Sequence, residues 1–181
     1  MANHFWLCPT KNKEIAYDCN KLNSFLEKEL PQFKFVLTAS GLENDLGKYN
    51  IHINDSNGEY ITSLYLYKDG LYSQDDDFGL NEEEVKKEMI NFADKESQDE
   101  GDKLISYLDE CDLKRCIEGR HGGNWNDLKL IIRTIQYNFG AIWLDEGIYP
   151  EVILPPTDDP NTKSKSSKEG KIKKFIDWVK K

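Results

Sequence analysis

The sequence predicts an α+β fold: an antiparallel meander sheet packed by helices on one face, with a basic amphipathic helix at the C-terminal end. Three observations predict it. Period-two alternation is concentrated in residues 33–74 and is interrupted by turn signals. Helical apolar spacing appears on both sides of that stretch. Leu, Ile, Val and Phe make about a quarter of the 181 residues, above the roughly 20% below which a highly charged chain stays disordered.

Phe5-Trp6-Leu7-Cys8 reads as a short strand stopped by Pro9. Asp18 is a good cap residue, and Leu22, Phe25, Leu26 and Leu30 after it follow helical spacing until Pro31. Residues 33–39 alternate, with Phe33, Phe35 and Leu37 on one face. Tyr49, Ile51 and Ile53 form the next inward row, leaving His52 outward between Asn50 and Asn54. Asp55-Ser56-Asn57-Gly58 is a turn and residues 59–67 the returning strand. Lys68-Asp69-Gly70 turns again into Leu71-Tyr72-Ser73.

Asn81 followed by Glu82, Glu83 and Glu84 marks a helix start, with Val85, Met89, Phe92 and Ala93 as its apolar stripe. Leu104, Ile105 and Leu108 suggest another helix, which Leu113, Cys116 and Ile117 continue or follow with a short second one. Gly119–Asn124 is expected to be a glycine-rich loop after it, its glycines permitting positive φ. Leu128, Ile131, Ile132, Ile135 and Phe139 give the clearest helix, ended by Gly140. Residues 141–144 read as a strand, Asp145-Glu146-Gly147 as a turn and residues 148–154 as the strand's partner. A single domain over residues 1–156 is expected, then a linker over 157–170 and the basic helix over 171–181.

Net charge is -9, with mean hydropathy -0.70, and the charge is unevenly spread. Residues 163–181 hold eight Lys against Glu169 and Asp177, whereas residues 69–112 hold 16 acids against four Lys, a net of -12. Phosphate backbones repel such a body, so nucleic-acid binding through it is not expected, and a basic protein is the natural partner. The candidate contact set is Asp75, Asp76, Asp77, Glu82, Glu83 and Glu84, with Tyr72 or Phe78 as an aromatic anchor. The tail has two expected docking places, the acidic body or an anionic surface.

No apolar run can span a bilayer, and Phe5–Cys8 is too short for a signal-peptide core. Reduced thiols and a cytoplasmic location follow as expectations for Cys8, Cys19, Cys111 and Cys116. Their spacing does not fit a zinc knuckle, and the 75–84 acids miss the calcium-loop register, so neither a metal nor a cofactor is expected. Walker A, dinucleotide, kinase, serine-hydrolase and H-E-x-x-H signatures are absent. The remaining chemistry-bearing segment is the 119–124 stretch, where Arg120, His121, Gly122 and Gly123 offer a candidate anion site at a helix start.

Two function classes follow. The first is an acidic cytosolic binding or inhibitory protein. In profile, being small, acidic and without catalytic motifs, the chain is similar to immunity proteins that neutralise basic, nuclease-type toxins. The second is a small-molecule-binding protein or enzyme that uses the 119–124 anion site.

Overall fold

The computed structural model describes residues 4–40, 48–67, 106, 109–112, 115–145 and 151–162. It has an α+β fold. Seven strands form one antiparallel sheet: β1 His4–Cys8, β2 Lys34–Ser40, β3 Lys48–Asn54, β4 Tyr60–Tyr67, β5 Ile117–His121, β6 Ile142–Asp145 and β7 Glu151–Ile153. Their order is β2-β3-β4-β5-β1-β6-β7. The expected meander is the β2-β3-β4 part. Beyond it, β5 pairs with β4, and the first strand of the chain enters between β5 and β6.

Helices α1 (Cys19–Glu29) and α2 (Trp125–Phe139) cover one face, α1 over β2 and β3, α2 over β1, β4 and β6. Asp18 caps α1 by accepting from the Asn20 and Lys21 amides, both at 3.1 Å. These bonds hold its carboxyl below the usual carboxylate range, the Lys21 amide contributing most. Leu22 and Leu26 of α1 and Leu128, Ile131, Ile132 and Ile135 of α2 meet Phe5, Leu7, Ile51, Ile53, Leu64 and Ile117 of the sheet in one core. The helices touch each other through Phe25 and Phe139, whose ring centroids are 4.8 Å apart.

Turn chemistry fixes the connections. Gly58 has φ +92°, and the Asp55 carboxylate accepts from the Asn57 and Glu59 amides at 2.8 Å. A register shift at Ile53/Asn54, opposite Tyr60 and Thr62, flanks this turn and turns Ile61 into the core. At the end of α2, Gly140 takes the left-handed conformation with φ +59°, and Thr10 donates from its amide and hydroxyl to Phe139 O, each at 3.1 Å.

Two expectations are corrected. Cys116 and Ile117 do not continue a helix: Ile117 opens β5, and Cys116 leads into it. Nor is 119–124 an inter-helix loop, since Gly119, Arg120 and His121 are strand residues. Its glycines serve close packing rather than positive φ, which among the described glycines belongs to Gly58 and Gly140. A side chain at Gly119 would overlap the Phe5 ring; one at Gly122 would overlap the Tyr60 ring, and one at Gly123 the Tyr60 carbonyl.

The expected 81–93 helix and the 171–181 basic helix lie outside the described residues. Residues 157–162, expected as linker, form a turn in which Asn161 and Thr162 bond to Asp159. The Asn161 amide also reaches the Thr134 hydroxyl on α2 at 3.4 Å. No helix among the described residues is long and apolar enough to cross a membrane.

Candidate functional site

The face of the sheet away from the helices carries a polar row. Strand register sets Val36, His52, Ser63 and Arg120 side by side across β2, β3, β4 and β5. The neighbouring row is Thr38, Asn50, Tyr65, Glu118 and Trp6. Strand alternation assigns both rows to this face, because Leu37, Ile51, Leu64 and Phe5 between them pack under the helices.

A hydrogen-bonded chain runs along the polar row. Asn50 Nδ2 lies 3.1 Å from His52 Nε2, His52 Nδ1 lies 2.9 Å from Ser63 Oγ, and the Tyr60 hydroxyl donates to Ser63 Oγ at 3.0 Å. With the Asn50 amide nitrogen turned to Nε2, Nε2 accepts and the imidazole proton sits on Nδ1, from which it is given to Ser63; the flipped amide reverses both bonds. In the first orientation Ser63 accepts twice and has one hydroxyl hydrogen left to give. A nucleophile–base pair needs the opposite polarity, with the imidazole accepting from the serine. The orientation of the Asn50 amide thus decides between a holding network and the opposite polarity. Asn50 Oδ1 is buried with no partner among the described residues.

Arg120 follows next across the sheet. Its guanidinium stands 5.1 Å above the centre of the Tyr65 ring, and its Nε is 4.0 Å from the buried Glu118 carboxylate. About 44% of the Arg120 side chain is exposed, leaving donor directions open to solvent. Ser63 is buried, so the donors here that are suited to a carboxylate or phosphate from solvent are those of Arg120.

Of the four residues of the expected anion site, Arg120, Gly122 and Gly123 are described in full, and His121 in its backbone alone. Arg120 is on the face away from α2. His121 pairs with Thr62 one register step further, so alternation separates positions 120 and 121; its side chain is outside the described residues. The Gly123 amide donates to Ile61 O at 2.9 Å, and the Asn124 side chain accepts from the Asn126 and Asp127 amides at the start of α2. The expected partner-binding residues Tyr72, Asp75, Asp76, Asp77, Phe78, Glu82, Glu83 and Glu84 all lie outside the described residues.

A second constellation went unnoticed in the sequence. Cys8 and Cys116 bring their sulfurs to 2.7 Å. Beside them Arg115 pairs with Asp112 at 2.7 Å and lies 3.9 Å over the Tyr17 ring, while the Tyr17 hydroxyl donates to Pro9 O at 2.7 Å. Burial pushes the Tyr17 hydroxyl well above its usual range. The Cys116 thiol, and then burial, do the same to Cys8, and burial pushes Cys111 up to about 12. Spacing in sequence could not reveal this corner, because Cys8 and Cys116 are 108 positions apart. Among the described residues, no three His, Cys, Asp or Glu side chains group as a metal site.

Comparison with protein-family models, with curated proteins and with solved structures finds no match to this chain.

Proposed function

We propose that this chain is an acidic binding protein of the inhibitory kind, engaging a basic protein through the 69–112 region as an immunity protein engages a toxin. One topological observation supports the reading. β4 and β5 are adjacent and antiparallel, with Tyr65 opposite Glu118, so a tight turn would suffice to join them. The chain instead inserts residues 68–116 there, and residues 69–112 of that insertion carry the net charge of -12. Concentrated charge steers an oppositely charged partner, at a cost in self-repulsion that solubility alone does not require.

The insertion returns to a fixed point. Cys111 bridges to Thr10, the Lys11 amide donates to Glu110 O at 2.8 Å, and the Asp112 amide donates to Pro9 O at 3.2 Å. Its end is thereby tied to the sheet, which limits the ordering cost of binding.

The test begins with a pull-down at low and high salt, followed by association kinetics with the partner recovered. Reversing Asp75, Asp76 and Asp77 to Lys should slow association about tenfold or more and flatten its salt dependence. An unchanged rate together with unchanged salt dependence sinks the reading.

A second reading, a binder of small anions, draws on the Ser63–Arg120 neighbourhood. Titration with inorganic phosphate, followed by amide NMR shifts on β4 and β5, tests it. Shifts that vanish in Arg120→Leu would favour this reading over the first.

A further inference from the structure

The seven-stranded sheet has a seam. On one side lies the run β2-β3-β4-β5 and on the other β1-β6-β7; among the described strands the β1–β5 pairing joins them, and α2 packs across both. Cys8 ends β1 and Cys116 immediately precedes β5. The register runs from His4↔Arg120 to Leu7↔Ile117, so its next step sets Cys8 opposite Cys116. Directly opposed residues in antiparallel strands have Cα atoms about 4.5–5.5 Å apart, inside the roughly 4.4–6.8 Å range that a disulfide spans. The two sulfurs are 2.7 Å apart, closer than two non-bonded sulfurs rest, and both side chains are buried. Backbone placement and side-chain direction thus both suit a covalent bond.

We propose that Cys8 and Cys116 are an oxidisable pair that closes to a cross-strand disulfide and locks the seam of the sheet when the chain meets a small-molecule disulfide. The exchange balances without a further reactant. Cys116, at 7% the more exposed of the two, attacks one sulfur of RSSR as the thiolate and expels RS⁻. Cys8 then attacks the Cys116 sulfur of the mixed disulfide and expels the second RS⁻. Two protein thiols become one disulfide, RSSR becomes two RSH, and the two thiol protons end on the released thiolates. The bond to Cys116, and then burial, keep Cys8 protonated, which makes closure slow in the folded chain. The bond therefore forms when the contacts of residues 109–112 with Pro9, Thr10 and Lys11 open or while the chain is folding. Cys19 lies in the core on α1, and the Cys111 thiol is directed to Gly140 O at 4.0 Å, whereas the sulfur in contact with Cys8 is that of Cys116.

The full chain is incubated with oxidised glutathione in two ways, folded and during refolding from urea. Remaining thiols are then alkylated and the peptides mapped without reduction. Two of the four thiols should disappear, a linked Cys8–Cys116 peptide should appear, and the thermal midpoint should rise by about 4–16 °C, reversibly with dithiothreitol. Cys111→Ser and Cys19→Ser should keep the link, and Cys116→Ser should lose it. Four alkylated thiols after refolding in oxidised glutathione would overturn the proposal. So would a link through Cys111, a link between chains, or a glutathione adduct that never resolves. The mapping uses the natural sequence, so it decides the matter even if a serine variant fails to fold.

Discussion

The ring of Phe5 lies directly on Gly119, its partner across the β1–β5 pairing, and occupies the place where a β-carbon at residue 119 would stand. The close fit of this large ring on a bare backbone centres the core and explains a glycine in mid-strand, which otherwise weakens a sheet.

Gly119→Ala should therefore destabilise the protein by about 1–3 kcal/mol through overpacking, because an aromatic ring cannot fold away as a flexible chain end can. Phe5→Leu combined with Gly119→Ala should recover part of that loss relative to the sum of the single changes. Urea unfolding of the four proteins checks it; strict additivity would show that the ring and the glycine do not constrain each other.

Ile135 lies wholly buried at the centre of α2. Ile135→Ala should lower the unfolding free energy by about 2–5 kcal/mol. A loss below about 0.5 kcal/mol, a value typical of surface changes, would contradict the packing described.

Gln136 is a buried polar side chain on the same helix. Its amide donates to Ala141 O at 3.2 Å and to Ile153 O at 2.9 Å, tying α2 to the segments of β6 and β7. Gln136→Leu keeps the bulk and removes both donors. A cost of about 1–3 kcal/mol is expected, with amide hydrogen exchange speeding up first along β7, the edge strand. Unchanged exchange there would show that the bonds do not hold the edge.

These elements differ in how far the sequence disclosed them. α2 was legible from its apolar spacing, and its C-terminal end from Gly140, because both features are local; the Asn124 cap at its start is shown by the structure. β5 was not. Only Ile117 in Ile117-Glu118-Gly119-Arg120-His121 is a large apolar residue, since Phe5 supplies the bulk over Gly119 and Glu118 is buried on the far side. The helix-like reading of Cys116-Ile117 followed from that missing alternation. His52 could be assigned to the outward face from period two alone. Its partner Ser63 depends on the register shift at Ile53/Asn54, and the Cys8–Cys116 contact depends on strand order, and neither is written in any short window.

The buried thiols give a pH dependence with a definite sign. Cys111 keeps its proton in the folded chain up to about pH 12, against an ordinary thiol value of 9.0 when exposed. Its contribution is fully present below the unfolded value and is lost as pH rises toward the folded one. Cys8, raised first by its bond to Cys116 and then by burial, acts in the same direction. Under reducing conditions the urea midpoint should fall between about pH 8 and about pH 10.5, and Cys111→Ser should reduce that fall. A midpoint that rises with pH over this interval would reverse the assignment.

The central position of β1 also imposes an order of events on a ribosome. β1 leaves the exit tunnel well before its neighbours β5 and β6, Cys116 following Cys8 by 108 residues. At about 5–20 residues per second, the apolar stretch Phe5-Trp6-Leu7-Cys8 waits roughly 5–20 s without either neighbour. The nascent meander β2-β3-β4 can form in that interval, but the sheet stays divided until β5 and β6 arrive to receive the strand made first.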